Sequence, residues 1–324
     1  MMLEINSRNA RQWMRLGSRG VFGQAVLAIA EEHLDLMVVS ADLGNSSGLD
    51  RFKSTYPDRF LNTGIAEQNM VGVAAGLTKE GFNVFATSFS PFIAMRASEQ
   101  IRMNLGYMGM NVKAVAIGSG IAMGYLGNSH FGIEDVAVMR SIPNITVVSP
   151  ADCAEIVKTV SAAAAFKGPM YIRLTGTANN PIVYTEDYHF EIGKAIPLRD
   201  GADVAIVTCG TMVAQSLKAA EMLAERGIEA SVLNMHTLKP LDTAALDAIA
   251  SQASAIVTVE EHSVIGGLGS AVAEYMAPKR DKPRHLLIGI KDIFVKTGDY
   301  GYMLEREGLV GPAICQKIGG FLGA

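Results

Sequence analysis

Ile145-Thr-Val-Val-Ser-Pro-Ala-Asp-Cys-Ala-Glu-Ile-Val-Lys-Thr-Val-Ser-Ala-Ala-Ala-Ala-Phe166 reads as one strand running into one helix. Residues 145–148 form an apolar, β-branched run too short for a helix. Ser149, Pro150 and Asp152 then mark a helix start. Serine can cap, proline suits the first helical position, and an acid three residues after the serine completes a capping box. The pattern predicts a helix over 151–166.

The same alternation repeats outward from this unit. Short apolar runs at 36–42, 84–86, 112–117 and 171–174 end in small or acidic residues, and stretches rich in Ala, Glu and Met at 24–32, 67–80 and 94–105 read as helices. The strands are continuously apolar rather than alternating, which predicts a mostly parallel sheet covered on both faces. Residues 176–200 break the rhythm with the turn signals Asn179-Asn180-Pro181 and Asp200-Gly201. The pattern then restarts, with strands at 204–209, 229–234, 255–259 and 286–290 and helices at 212–226, 243–252 and 267–276. The expected fold is two doubly wound α/β domains, 1–176 and 201–324, joined by a linker over 177–200.

Composition excludes several classes. Of 324 residues, 49% are hydrophobic and 19% charged, too apolar for a disordered chain. A net charge of −4 supplies no basic surplus for nucleic acid or an anionic membrane surface. The longest apolar stretches are cut by Lys, Ser, Gly or Asn, so no membrane span is expected. Residues 1–19 mix Glu, Asn and Arg without an apolar signal core, which leads us to expect a cytoplasmic protein. Cys153, Cys209 and Cys315 are odd in number and widely spaced, as buried small hydrophobes would be.

Several motifs invite a chemical reading. Gly118-Ser-Gly-Ile-Ala-Met-Gly124 follows a strand, but its last spacing is one residue too long for a dinucleotide fingerprint. Gly266-Gly-Leu-Gly269 opens a helix and is either a tight turn or an anion-facing set of N–H groups. There is no Gly-Lys-Ser/Thr phosphate loop and no pair of His at metal-ligand spacing. Leu61-Asn-Thr-Gly-Ile-Ala-Glu-Gln-Asn-Met-Val-Gly-Val-Ala-Ala-Gly76 carries more information. Glu67 sits in the first turn of a helix of small residues, and on spacing alone it reads as an ordinary dipole-favoured acid. Phe89 and Phe92 follow a strand, an unusual place for phenylalanine unless a flat group packs on it. His130 lies in a Gly-punctuated loop after a further strand. The strand-end positions of all four residues are where parallel sheets bind ligands.

Gly64-Ile-Ala-Glu-Gln-Asn-Met70, Phe89-x-x-Phe92, Asn111-Val-Lys113, Ser129-His130, Ile142-Pro-Asn144 and Ser149-Pro-Ala-Asp152 occur in order, and together they resemble the second half of a transketolase. Glu260-Glu-His-Ser-Val-Ile-Gly-Gly-Leu-Gly269 extends the resemblance through the second domain. The resemblance implies thiamine diphosphate, with Glu67 bonded to its pyrimidine nitrogen, Phe89 and Phe92 wrapping that ring and Asp42 also on the cofactor. It implies that His130 meets the substrate by hydrogen bonding or proton transfer. Arg19 and Ser46 match family positions that touch a sugar phosphate. Gly118, Leu126 and Gly176 stand where the family has a phosphate-binding His, a hydroxyl-reading acid and a phosphate-binding Arg. Arg173 or Arg96 is a candidate replacement cation.

The family's diphosphate and Mg²⁺ (or Ca²⁺) site uses a Gly-Asp-Gly motif that this chain lacks. The resemblance therefore implies one subunit of a split transketolase, paired with an N-terminal, diphosphate-binding subunit in an α₂β₂ assembly and self-associating through both domains. The resemblance implies transfer of a two-carbon ketol unit from a phosphorylated or otherwise anionic ketose to an aldehyde, and an unusual donor or acceptor is expected: of different chain length, less phosphorylated or sulfonated. Two alternatives stand beside it. One is the β subunit of a 2-oxoacid-decarboxylating or deoxyxylulose-phosphate-synthase-like enzyme. The other is a scaffold subunit without catalytic function.

Overall fold

The computed structural model describes residues 3–323. Met1, Met2 and Ala324, at the ends of the expected domain ranges, lie outside the described residues. The first half contains α1 (Ser7–Ile29), β1 (Leu36–Ser40), α2 (Asp50–Thr55), β2 (Phe60–Asn62), α3 (Glu67–Lys79) and β3 (Asn83–Phe89). It continues with α4 (Ser98–Gln100), β4 (Val112–Ser119), α5 (Asp135–Ser141), β5 (Thr146–Val148), α6 (Cys153–Ala165) and β6 (Met170–Thr175). The second half contains β7 (Ile196–Arg199), β8 (Val204–Thr208), α7 (Met212–Ala224), β9 (Ala230–Asn234), β10 (Thr237–Lys239) and α8 (Thr243–Ala250). β11 (Ala255–Ser263), α9 (Leu268–Met276), β12 (Arg284–Ile290), α10 (Tyr300–Glu307) and α11 (Gly311–Leu322) complete it.

The strands form two mostly parallel sheets, as the continuous apolar runs predict. One has the order β10-β5-β6-β4-β3-β1-β2 and the other β12-β11-β8-β9-β7. Side-chain alternation explains the runs. In β3, Val84 and Ala86 enter one core cluster and Phe85 the other; in β4, Ala114 and Ala116 oppose Val115 and Ile117. Both faces of these two strands are thus buried, which accounts for their mostly apolar composition. Helices α1 and α6 pack on one face of the first sheet, and α3 covers the other.

Four expectations need correction. The segment between the domains holds a strand: β7 pairs antiparallel with β9 at the edge of the second sheet. The first sheet borrows β10 from the second half, antiparallel to β5. Helix α6 begins at Cys153, capped by Asp152 rather than Ser149, because the Asp152 carboxylate reaches the Glu155 N–H at 2.9 Å. The helix expected over 94–105 is interrupted: π-helical turns at Phe92–Arg96 and Ile101–Tyr107 flank the three residues of α4. Such π-turns are frequent at functional sites.

Candidate functional site

The site assembles at the carboxyl edge of the first sheet. β2 ends at Asn62, whose amide organises the turn before α3. Its Oδ1 accepts from Gly64 N and Asp42 N, each at 3.0 Å, and its Nδ2 donates to Asp42 Oδ1 at 2.9 Å. Asp42, with a left-handed φ of 59°, therefore pins this turn from the end of β1. The turn delivers Glu67 to the first residue of α3, buried at 2% exposure. Ser88 Oγ on β3 donates to Glu67 Oε1 at 3.2 Å. Arg96 Nη1 donates to Oε2 at 2.9 Å, and the Arg96 side chain is half-exposed.

Three rings stand beside this ion pair. Phe89 ends β3 and Phe92 begins the first π-turn, and their rings meet edge to face at 6.1 Å. The His130 ring lies 5.6 Å from Phe89 and 5.1 Å from Phe92. The Arg96 guanidinium sits over Phe92 at 4.3 Å. Ser129 Oγ holds His130 Nδ1 at 3.0 Å, and His130 Nε2 makes no hydrogen bond among the described residues. The structure thus brings Glu67, Phe89, Phe92 and His130 into one constellation and adds Ser88 and Arg96. Ser88 carried no sequence signal, because its role arises only from strand β3 lying against the start of α3.

The remaining expected residues divide. Arg19 and Ser46 lie on adjoining segments, since a Cβ built on Gly48 would fall 2.7 Å from the Arg19 carbonyl oxygen. Among the described residues neither bonds to the Glu67 group. Leu126 is exposed on the turn before His130. Gly118 has a left-handed φ of 63°, and a Cβ there would meet the Met123 Sδ at 2.5 Å, so methionine fills the space a longer side chain would need. At Gly176 the Asn180 amide fills the equivalent space.

Arg173 does not replace the missing cation. It is 2% exposed, its Nε bonds both Asp135 oxygens at 2.9–3.0 Å, and its Nη2 donates to Gly132 O and Glu261 O. Burial works to raise the Asp135 pKa, but Arg173, His262 and the Ser90 and Tyr171 hydroxyls hold it low. Arg173 is thus committed to an ion pair inside the protein, at the joint between the domains.

The open question at Gly266–Gly269 is answered by the chain's own anion. Glu260 accepts from Leu268 N at 2.7 Å and Gly269 N at 2.8 Å. The three cysteines are buried and free. Among the described residues no group of three or more His, Cys, Asp or Glu is arranged to hold a metal ion, and no helix is long and apolar enough to cross a membrane.

The constellation has an unfinished surface. Ile65 before Glu67, Met95 beside Arg96, and Tyr125 and Leu126 before His130 are all exposed; Ile65 and Tyr125 reach 79%. A cavity of about 620 Å³ opens elsewhere, between α1 and α6, lined by residues such as Ala25, Ile29, Val157 and Phe190. Its charged lining residues are Glu4, Lys158 and Asp187, the last two paired with each other.

Comparison with known proteins now decides the family. The description "Transketolase, pyrimidine binding domain" matches residues 15–180, and "Transketolase, C-terminal domain" matches residues 193–312. The chain belongs to the transketolase family. A putative transketolase C-terminal section of Methanocaldococcus jannaschii is 41% identical over 304 residues, covering 93% of this chain and 95% of that protein. A 6-deoxy-6-sulfo-D-fructose transketolase subunit of Clostridium sp. (strain MSTE9) is 40% identical over 298 residues, covering 91% of each. A solved structure described as "Split gene transketolase, inactive beta4 tetramer" superposes with a TM-score of 0.85 at 41% identity, covering 94% of this chain and 98% of that one.

The transketolase chemistry implies thiamine diphosphate, and the residues present fit its pyrimidine. A buried carboxylate has one oxygen held by a half-exposed side chain, beside two phenyl rings of the kind that pack on a flat ring.

Proposed function

We propose that this chain is the pyrimidine-binding half of a two-subunit, thiamine diphosphate-dependent transketolase. It transfers a two-carbon ketol unit from a ketose to an aldehyde. The observation that carries this reading is the buried Glu67 carboxylate facing Phe89, Phe92 and His130 on an edge rimmed by exposed apolar residues. When bound, the cofactor supplies a nucleophilic carbon and an electron sink for making and breaking the carbon–carbon bond.

This chain's residues do the rest. Glu67 holds a proton between Oε2 and a ring nitrogen, which a carboxylate can share across one short bond. Ser88 fixes the other oxygen. Arg96 leaves Oε2 when the pyrimidine arrives; it is the half-exposed partner, whereas Ser88 is buried on a strand. Phe89 and Phe92 exclude water from the ring. His130 Nε2 bonds the substrate oxygen and moves a proton to or from it. Asp42 supports the cofactor by holding the turn before Glu67.

The diphosphate and its Mg²⁺ or Ca²⁺ fall to a partner subunit in an α₂β₂ assembly, with the exposed apolar rim as part of the covered surface. The split relatives support this, since this chain spans nearly their whole length. Arg19 and Ser46 are the proposed substrate contacts. Met123 over Gly118 and Asn180 over Gly176 argue for a sugar other than an ordinary sugar phosphate. The 40% identical relative that handles a sulfonated fructose is consistent with that class. Efficient turnover of xylulose 5-phosphate with ribose 5-phosphate would refute the substrate assignment.

Calorimetric titration with thiamine diphosphate and Mg²⁺ tests the whole reading. Tight binding is expected only when the partner is present. Equally tight binding by this chain alone would overturn the two-subunit site.

A further inference from the structure

The placement of His130 depends on a loop, residues 121–131, held from the second domain. Gly120 and Gly132 pair across its neck, with N–H···O distances of 2.8 and 2.9 Å. Glu261, on β11 and 1% exposed, reaches both sides of that neck. Its Oε1 accepts from Ile121 N at 2.8 Å. Its main-chain oxygen shares Arg173 Nη2 with Gly132 O, at 2.8 and 2.9 Å. Its Oε2 accepts from Thr211 Oγ1 at 2.6 Å and Tyr300 OH at 2.7 Å.

The neck is built around this carboxylate. Gly120 has a φ of +70°, and a Cβ there would lie 2.1 Å from Glu261 Oε1. Ile121, Phe131 and the following Ile133 bury themselves in the second domain's cluster with Ile206, Val259 and Ile290. At the tip, Asn128 Nδ2 donates to Val295 O at 2.9 Å. His130 turns back to the Phe89 and Phe92 rings of the first domain, and Met123 packs on that domain's cluster as well. The second domain therefore sets where the imidazole stands.

We propose that Glu261 is a positioning residue for the reaction, acting through the loop neck to place His130 against the substrate. The proposal rests on the reading that His130 meets the substrate. A carboxylate is needed because two oxygens take three donors, Ile121 N, Thr211 and Tyr300, none of which carries charge. Glutamine of the same size offers one acceptor oxygen and turns an NH₂ group toward a donor.

The test uses the assembled enzyme with its partner and four variants: Glu261→Gln, Tyr300→Phe, His130→Ala and the Glu261→Gln/His130→Ala double. Glu261→Gln is expected to lower kcat/KM at least tenfold and leave the thiamine diphosphate Kd within twofold. It should speed amide exchange across residues 121–131 at least tenfold, with exchange in α3 unchanged. The double variant should be within twofold of His130→Ala alone, since both substitutions remove one contribution. Tyr300→Phe keeps the Ile121 bond and should speed loop exchange by a smaller factor; it decides the matter if Glu261→Gln does not fold. A costly His130→Ala whose loss multiplies with that of Glu261→Gln, or unchanged loop exchange in the variants that fold, overturns this proposal alone. A His130→Ala variant with wild-type kcat/KM overturns the reading of His130 itself, and the positioning role with it.

Discussion

Glu67 carries two assignments that its position near a helix start could not separate. An acid in a first turn is favoured by the helix dipole whether or not it does chemistry. Burial at 2% with one strand-borne and one half-exposed partner supports the proposed cofactor role, since acids placed only by the helix dipole ordinarily stay solvated. Glu67→Gln should reduce kcat of the assembled enzyme by at least about 10²-fold, the scale of lost proton management, with the melting temperature nearly unchanged. Steady-state assay beside a thermal melt checks both halves. Arg96→Gln leaves the buried carboxylate with Ser88 alone. Since Arg96 is half-exposed, solvent screening limits the loss to about 1 kcal/mol. Urea denaturation should show that loss in the cofactor-free chain, and a smaller one with partner and cofactor bound.

Among the elements, α6 shows how a local signal and a tertiary contact share one residue. Asp152 caps the helix through Glu155 N and also accepts from Val183 N at 2.8 Å and Tyr184 N at 2.9 Å, tying the inter-domain segment to the first domain. Burial pushes its pKa up, against the pull of those N–H groups. Asp152→Ala removes a cap and strands two further donors, so it should cost about 3 kcal/mol in denaturant unfolding. Ser149→Ala should cost much less, because among the described residues the Ser149 hydroxyl caps no helix N–H and meets only the weakly bonding Cys209 thiol. The capping box was legible as a helix start, but not its phase. Ser149 and Asp152 both satisfy the local rule, and only the packed neighbours choose between them. The π-turns are a similar case. Residues 92–107 have helical composition, and nothing local announces the altered winding, whose first turn carries the Arg96 that bonds Glu67 and covers the Phe92 ring.

Over the whole molecule, the two sheets share cores. Ala205, Val207, Leu233 and Leu268 of the second half belong to the same apolar cluster as Val84 and Ala114 of the first. The joint also buries His262 beside Asp135, Arg173 and Glu260. Burial drives the His262 pKa down to about 4, while Asp135 pulls it up. Its unfolded value is about 6.5, so between those values the unfolded chain binds the extra proton. The stabilisation is present above about pH 6.5 and is lost as pH falls toward 4. Glu155 and Glu260, raised to about 7 chiefly by burial, act with the opposite sign above their own unfolded pKa, so a variant comparison isolates the histidine. His262→Leu should move the slope of stability against pH in the negative direction by about 1.4 kcal/mol per unit over that window, relative to the unsubstituted protein. Denaturant titrations at several pH values measure it.

The α/β class and the parallel sheets were readable in the chain alone, from apolar runs that only a doubly covered strand can bury. Glu67, Phe89, Phe92 and His130 stood out through the motif resemblance rather than local spacing, and the structure brings the four together. What the chain could not disclose involves partners distant in sequence. β10 is three residues long and has a place only beside β5. Arg173 looked like a free cation until Asp135 enclosed it. Glu261 became legible only when Ile121, 140 residues away, came to rest against its carboxylate. Local periodicity reports which face of an element is buried. Which buried polar groups meet is decided by how the two sheets dock.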